Sequence, residues 1–268
     1  MKDKFSVYDT HTHSRHSFDG RDSVEEMCRA AQKTGLAGIC ITDHYEVGSA
    51  LFVPKEQRDP YWIKESFAAV AAEKGRHGDL DILAGVELGQ YVHDPARADE
   101  IISLCPFDFV LGSMHFSKDG VDFYAVDFTK VDPAPIYAAY LDDLLETALT
   151  ADFDSLAHMT YPLRYVRRDG AGLDLQPFDS MHDKILSALA RRGKALELNT
   201  SGVNYPSGFL MPEENLVRRF KELGGQYVTL GSDAHRAEHI AAGFERGLEV
   251  LRAAGFERPT AFAARRPI

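Results

Sequence analysis

The sequence predicts an α/β fold, a distorted seven-stranded (β/α) barrel of TIM-like form. Three observations lead there. Seven short apolar runs alternate with segments of helical periodicity, as parallel strands joined by crossover helices do. Nearly every run ends in polar, often histidine-bearing residues. Strand C-termini converge on one face of a barrel, whereas an open sheet concentrates its site at a single switch point. Finally, 268 residues suit a barrel of about 250 residues built as one unit, so a single domain is expected over residues 1–268.

The first run, FSVYDTHTH (5–13), precedes a helix over 23–34, where Ser23 and Glu26 stand at capping-box spacing and Gly35 follows the last turn. GICITDH (38–44) leads to a helix over 60–76, opened by Asp59 as cap and Pro60 in the first turn. DILAGVELG (81–89) precedes a short helix near 96–103. FDFVLGSMH (107–115) is followed by a helix over 133–149, and FDSLAHMT (153–160) by one over 177–192. KALELNTSG (194–202) leads to 212–223, and QYVTLGSDAH (226–235) to 236–254. These helical segments carry apolar residues three and four apart. The usual barrel has eight strands, so seven runs imply a distorted one. Segment 45–58 and the stretch Tyr91-Val92-His93 read as rim loops.

Acidic residues (41) outnumber basic ones (30), a formal net charge of −11. A module that grips a nucleic-acid backbone needs a basic face, so no stable nucleic-acid complex is expected. A small anionic substrate stays compatible, because bound cations supply local positive charge. No run approaches the ~18 apolar residues of a membrane span, and MKDKFSVYDTH holds no apolar segment of signal-peptide length. Cys28, Cys40 and Cys105 are isolated and form no CxxC, which suits reduced thiols and a cytoplasmic protein. The sequence does not give the oligomeric state.

Of eleven histidines, six stand at strand ends: His11, His13, His44, His115, His158 and His235. His11 and His13 are two apart, so on an extended strand both imidazoles face the same way. Asp43-His44 and Asp233-x-His235 set a carboxylate beside an imidazole at two other ends, Glu87 closes the otherwise apolar LAGVELG, and Asp19 follows the first strand. Taken singly, a strand-end histidine is ordinarily a hydrogen-bonded loop residue, Asp19 before Gly20 a turn residue, and Asp9 and Asp43 strand-end caps. Taken together, buried acids and imidazoles in such number call for a neutralising charge, which divalent cations supply. Nine candidate ligands exceed what one zinc takes and suit two or three ions; the mixed imidazole–carboxylate set accepts zinc, manganese or iron.

The motifs DTHTHSRHSFDG (9–20), ITDH (41–44), GVELG (85–89), GSMHF (112–116), LAH (156–158) and LGSDAH (230–235) occur in order across nearly the whole chain. Together they resemble the PHP (polymerase and histidinol phosphatase) superfamily of metal-dependent phosphoesterases. ELNTSG (197–202), and GGQYVTLGSDAH followed by His239, are most similar to its histidinol-phosphate phosphatase branch. The resemblance implies a distorted (β/α)7 barrel and a trinuclear site. His11, His13, Glu87 and Asp233 hold the first ion; Glu87 bridges to a second held by His115 and His158; Asp19, His44 and His235 hold the third. His16 competes for the place of Asp19. The expected reaction is hydrolysis of a phosphate monoester, L-histidinol phosphate of histidine biosynthesis, by a metal-bridging hydroxide. Asp233 orients the nucleophile, and His235 or a metal-bound water helps to protonate the departing alkoxide.

Phosphate recognition calls for a cation besides the metals, and Arg164, six residues after His158, is the leading candidate. Arg167 and Arg168 read as solvated. Where the resemblance calls for a basic residue after NTSG, this chain has Asn204, which donates a hydrogen bond but carries no charge. Lys118 could compensate, and His93 with Tyr91 could touch the organic part of the substrate. Cys-x5-Arg, GxxxxGK[ST] and GxSxG are absent, which removes cysteine phosphatases, P-loop NTPases and nucleophile-elbow hydrolases. The alternatives are another phosphate ester (a nucleotide, sugar phosphate, phosphoprotein or nucleic-acid strand end) and a metal-binding protein without turnover.

Overall fold

The computed structural model describes residues 7–48, 60–204 and 208–268. The start of the first run, Asp59 and most of the rim segment 45–58 lie outside the described residues. Seven parallel strands are hydrogen-bonded in the order β1 (Tyr8–Thr12), β2 (Gly38–Ile41), β4 (Asp81–Gly89), β5 (Phe109–Ser113), β6 (Ser155–Leu156), β7 (Ala195–Asn199) and β8 (Val228–Gly231). The last strand returns to the first. Thr10 Oγ1 donates to the Leu230 carbonyl (2.9 Å), Asp233 N–H to the His11 carbonyl (2.8 Å) and His13 N–H to the Ala234 carbonyl (2.8 Å). The barrel is thereby nearly closed, as the seven runs predict.

The distortion lies where the second run was expected to continue to His44. The run stops at Ile41 and resumes as a separate short strand, β3 (His44–Glu46), which pairs with the second half of β4. Between them the Glu87 N–H is shared by the carbonyls of Thr42 and Asp43, 3.2 Å from each. This step swings His44 and Glu46 level with Glu87, since His44 and Glu87 are register partners.

Alternation along the strands decides what faces the axis. On β7, Leu196 and Leu198 join the large core under the helices, and Glu197 and Asn199 turn the other way. On β4, Val86 and Leu88 do the same and Glu87 faces inward. The outer core includes Tyr137, Tyr140, Leu144, Leu186 and Phe220, all fully buried. A smaller cluster of Cys40, Leu83, Phe109, Leu111 and Ala195 packs on Phe262. Phe262 belongs to a C-terminal hairpin, β9 (Phe262–Ala263) with β10 (Arg266–Pro267), too short for its pattern to be read from sequence.

Helix α1 (Val24–Thr34) has the expected capping box at Ser23 and a left-handed Gly35 (φ 76°) as its stop. Helices α2 (Tyr61–Glu73), α3 (Pro95–Ser103), α4 (Pro133–Thr150), α6 (Asp179–Arg192) and α7 (Glu214–Glu222) fall within two or three residues of the expected segments, except that α2 ends earlier. Two departures have local causes. Segment 236–254 is not one helix: Ala241 (φ 59°) and Gly243 (φ 75°) leave helical space, and α8 runs only over Phe244–Ala253. A further helix, α5 (Pro162–Arg168), follows β6 with Pro162 in its first turn; its seven residues are too few for a period. Among the described residues no helix is long and apolar enough to cross a membrane. Cys28, Cys40 and Cys105 are free thiols.

Candidate metal centre and active-site cavity

All nine side chains expected as ligands meet at the C-terminal ends of the strands. Glu87 is at the centre and fully buried. Its Oε2 lies 2.8 Å from His44 Nδ1, 3.3 Å from His11 Nε2 and 3.5 Å from His13 Nε2. Its Oε1 lies 2.9 Å from His158 Nε2 and 3.2 Å from His115 Nε2. Asp233 Oδ1 is 3.5 Å from His13 Nε2 and 3.6 Å from both His11 Nε2 and His235 Nδ1. Asp19 joins the far side, 3.0 Å from His235 Nε2 and 3.7 Å from His44 Nε2. The His13 ring is stacked between His44 and His235, with centroids 4.2 and 4.3 Å away. The backbone N–H of His16, the competitor for Asp19, donates to Ser14 Oγ (3.2 Å).

Four sets of these groups bring ligand atoms within 4.8 Å of one another: His13, His44 and His235; His11, His158 and Asp233; His11, His13 and Glu87; His44, Glu87 and His115. Several facing atoms, among them His11 Nε2, His13 Nε2, Asp19 Oδ1 and Glu87 Oε2, are buried yet make no hydrogen bond. Leaving such a group unsatisfied costs about 1–3 kcal/mol. A divalent cation satisfies nitrogen and oxygen lone pairs together, so this donor set fits the metals expected from sequence.

The electrostatics follow from crowding. Burial drives the His13 imidazole down to about 3, helped by the neighbouring His44 and His235. Burial opposes ionisation of Glu87, but His44, His11 and His115 outweigh it and hold the carboxyl well below its usual range. Burial likewise opposes protonation of His11, and the carboxylates of Glu197, Glu87 and Asp233 overcome it.

A layer of buried acids braces the cluster. Asp43 accepts from Ser14 N–H (2.7 Å) and from the hydroxyls of Ser14, Ser17 and Ser66 (2.8, 2.9 and 2.5 Å). Asp9 accepts from Ser232 N–H and Oγ (2.9 and 2.5 Å) and from Ala241 N–H (3.0 Å), joining β1 to the segment after β8. Asp43 follows the end of β2, as the strand-end reading has it, whereas Asp9 lies within β1 and ties that strand to the segment after β8. Two further acids went unnoticed in the sequence. Glu46 Oε1 accepts from His115 Nδ1 (2.9 Å), and Glu197 Oε1 from His11 Nδ1 (2.6 Å). Each had a signal: Glu46 is two residues from His44 on one strand, and Glu197 is a lone acid in an apolar run, the cue that singled out Glu87. Asp233 (φ 53°) and His158 (φ 24°) hold left-handed backbone conformations, strain that sites tolerate when the surroundings enforce it.

The cluster opens into a cavity of about 750 Å³, whose other walls include Phe18, Tyr124, Tyr161, Arg168, Asn204 and His239. Arg164 lies in its wall. Its Nη2 donates to Asp233 Oδ2 (3.0 Å) and Ser201 Oγ (2.5 Å), and the guanidinium stands 5.2 Å from the Tyr161 ring centroid. Of the four expected substrate contacts, Arg164 and Asn204 line the cavity, whereas Lys118 and His93 do not. Lys118 is drawn outward, its ammonium paired with Glu146 and its N–H bonded to Asp143 of α4 (2.8 Å). Arg167 pairs with Glu213. Arg168 reaches the cavity edge but is tied to Asp169 (2.7 Å) and to the carbonyls of Tyr124 and Val126 (2.9 and 2.8 Å).

Comparison with known proteins gives a consistent result. The model of the PHP domain family matches residues 9–201. A probable histidinol-phosphatase of Thermotoga maritima is 30% identical over 252 residues, 94% of each chain. The histidinol-phosphatase of Lactococcus lactis subsp. lactis is 27% identical over 263 residues, 95% of this chain and 94% of that one. A crystal structure of histidinol phosphate phosphatase from the same organism, complexed with zinc, L-histidinol and phosphate, superposes with a TM-score of 0.80 at 26% identity, covering 98% of this chain and 99% of that one.

Proposed function

The chain belongs to the PHP domain family, and from that premise we propose that it is a metal-dependent phosphomonoesterase whose substrate is L-histidinol phosphate. One observation carries the reading: buried imidazole and carboxylate atoms without hydrogen-bond partners converge at the floor of a cavity that has an arginine in its wall. His11, His13, Glu87 and Asp233 would hold one ion, Glu87 with His115 and His158 a second, and Asp19, His44 and His235 a third. Zinc is favoured by the relative's bound metal, with manganese and iron compatible with the same donors. When bound, such ions lower the pKa of water and neutralise charge on the phosphoryl group.

The chain's own groups do the rest. Arg164, fixed by Asp233 and Ser201, presents positive charge to the phosphate oxygens. Asp233 orients the attacking oxygen. The proton for the departing alkoxide would come from a metal-bound water, or from His235, about a quarter exposed and beside Asp19, where it is not engaged as a ligand. The cavity wall of Phe18, Tyr124 and His239 receives the organic part. The protein works as one domain over residues 1–268, on a small molecule rather than a nucleic acid, in the cytoplasm.

A second reading, a different phosphate ester, draws on Asn204: the cavity has an uncharged amide where the resemblance calls for a basic residue. Steady-state kinetics on L-histidinol phosphate beside nucleotide and sugar phosphates, with zinc and with manganese, separates the two. The proposal expects kcat/KM for histidinol phosphate to exceed the others by about 100-fold or more, a ratio that specific polar contacts can supply. Equal values reject the substrate and leave the reaction class standing; no turnover on any ester rejects both.

A further inference from the structure

We propose that Glu197 is the positioning residue that fixes the His11 tautomer, turning Nε2 toward the first metal ion. Glu197 is fully buried on β7 and faces the barrel axis. Its Oε1 accepts from His11 Nδ1 at 2.6 Å. Its Oε2 accepts from the backbone N–H of His158 at 2.7 Å and from Asn199 Nδ2 at 3.2 Å. A single carboxylate thus locks one imidazole and the backbone of another, the latter in its left-handed conformation. The proton shared with Glu197 keeps His11 Nδ1 as a donor, so Nε2, which faces Glu87 and Asp233 without a hydrogen bond, is the nitrogen left to give its lone pair to an ion that takes the place of a proton there. The fold makes room for this arrangement. A Cβ at Gly231 on the neighbouring strand would come within 2.4 Å of Glu197 Oε1 and 2.5 Å of His11 Cβ.

Only a carboxylate serves both sides. Glutamine offers one acceptor and one donor group. If its amide NH2 faces His11, the imidazole proton moves to Nε2 and blocks the lone pair needed by the metal. If the NH2 faces the other way, it opposes the donors of His158 and Asn199. The inference rests on the metal reading given above, and the test separates the two.

Zinc affinity is measured by chelator competition on the full chain, and histidine tautomers by long-range 1H–15N correlation of 15N-histidine protein. In the zinc-loaded wild type, His11 should carry its proton on Nδ1 and coordinate through Nε2. In Glu197→Gln, one zinc should bind about 10–100-fold more weakly, the usual cost of losing a ligand's hydrogen-bond partner. Ser155→Ala is the control. It removes a buried hydroxyl pair with Thr229 (2.7 Å), beside Glu197 in the sheet but between two residues that are not expected ligands, and should lower stability while zinc affinity stays unchanged. Wild-type affinity in Glu197→Gln, equal zinc loss in Ser155→Ala, or His11 coordinated through Nδ1 in the wild type would each overturn the role of Glu197. The last needs no variant to fold. A wild type that binds no zinc would end the metal reading and this inference with it.

Discussion

Glu87 sits between two groups of imidazoles, and each of its oxygens serves a different group. Glu87→Gln leaves one oxygen and puts in place of the other an uncharged NH2 that has no lone pair to offer a cation. The expected outcome is loss of at least one ion per chain, read by elemental analysis, with kcat down by about 100-fold or more, on the scale of losing one electrostatic contact. Full metal content with full turnover would reject the bridging role. Arg164→Ala should lower kcat/KM by a similar factor. Arg164→Lys should restore little of it, because a point charge does not reproduce the planar fork held by Asp233 and Ser201. At this scale much was legible, because metal-binding side chains are rare residue types in apolar strands. His11, His13 and Glu87 stand out from the runs around them, and so does Glu197 once its cue is applied evenly. The outward turn of Lys118 was not legible, since it depends on Glu146 and Asp143, a helix away.

The strands are the elements that carry the site, and their glycines mark where side chains pass. Gly231 is the clearest case. Gly231→Ala keeps the strand conformation but drives a methyl into Glu197 and His11. It should weaken zinc binding and lower the melting temperature together, in contrast to Ser155→Ala; unchanged zinc affinity would show that the neighbours yield without moving the cluster. Alternating apolar runs made seven strands readable, because the inner and outer faces of a barrel strand differ in polarity. The break between β2 and β3 was not readable. His44, Tyr45 and Glu46 continue an apolar-then-polar pattern, and only the register on β4 shows that they form a separate strand. The helix expected over 236–254 failed for a local reason: Ala241, a residue without the glycine signature, takes a left-handed conformation beside Gly243.

For the molecule as a whole, the cluster is a stabilising device as well as a reactive one. Ions that bind the folded chain alone stabilise it by about 2.7 kcal/mol at a free concentration 100 times Kd. Chelation should therefore lower the melting temperature in differential scanning calorimetry, and added zinc or manganese should restore it. A melting curve indifferent to chelator would deny that the buried imidazoles are held by metal. The final turn of the barrel gives this a temporal side. The backbone bonds that bring β8 to β1 are made by His11, His13, Asp233 and Ala234 themselves. A nascent chain halted before residue 228 already holds Glu87, His115 and His158 but lacks Asp233 and His235, so the sets proposed for the first and third ions are incomplete in it. Full loading of the cluster would then wait until the first and last barrel strands meet.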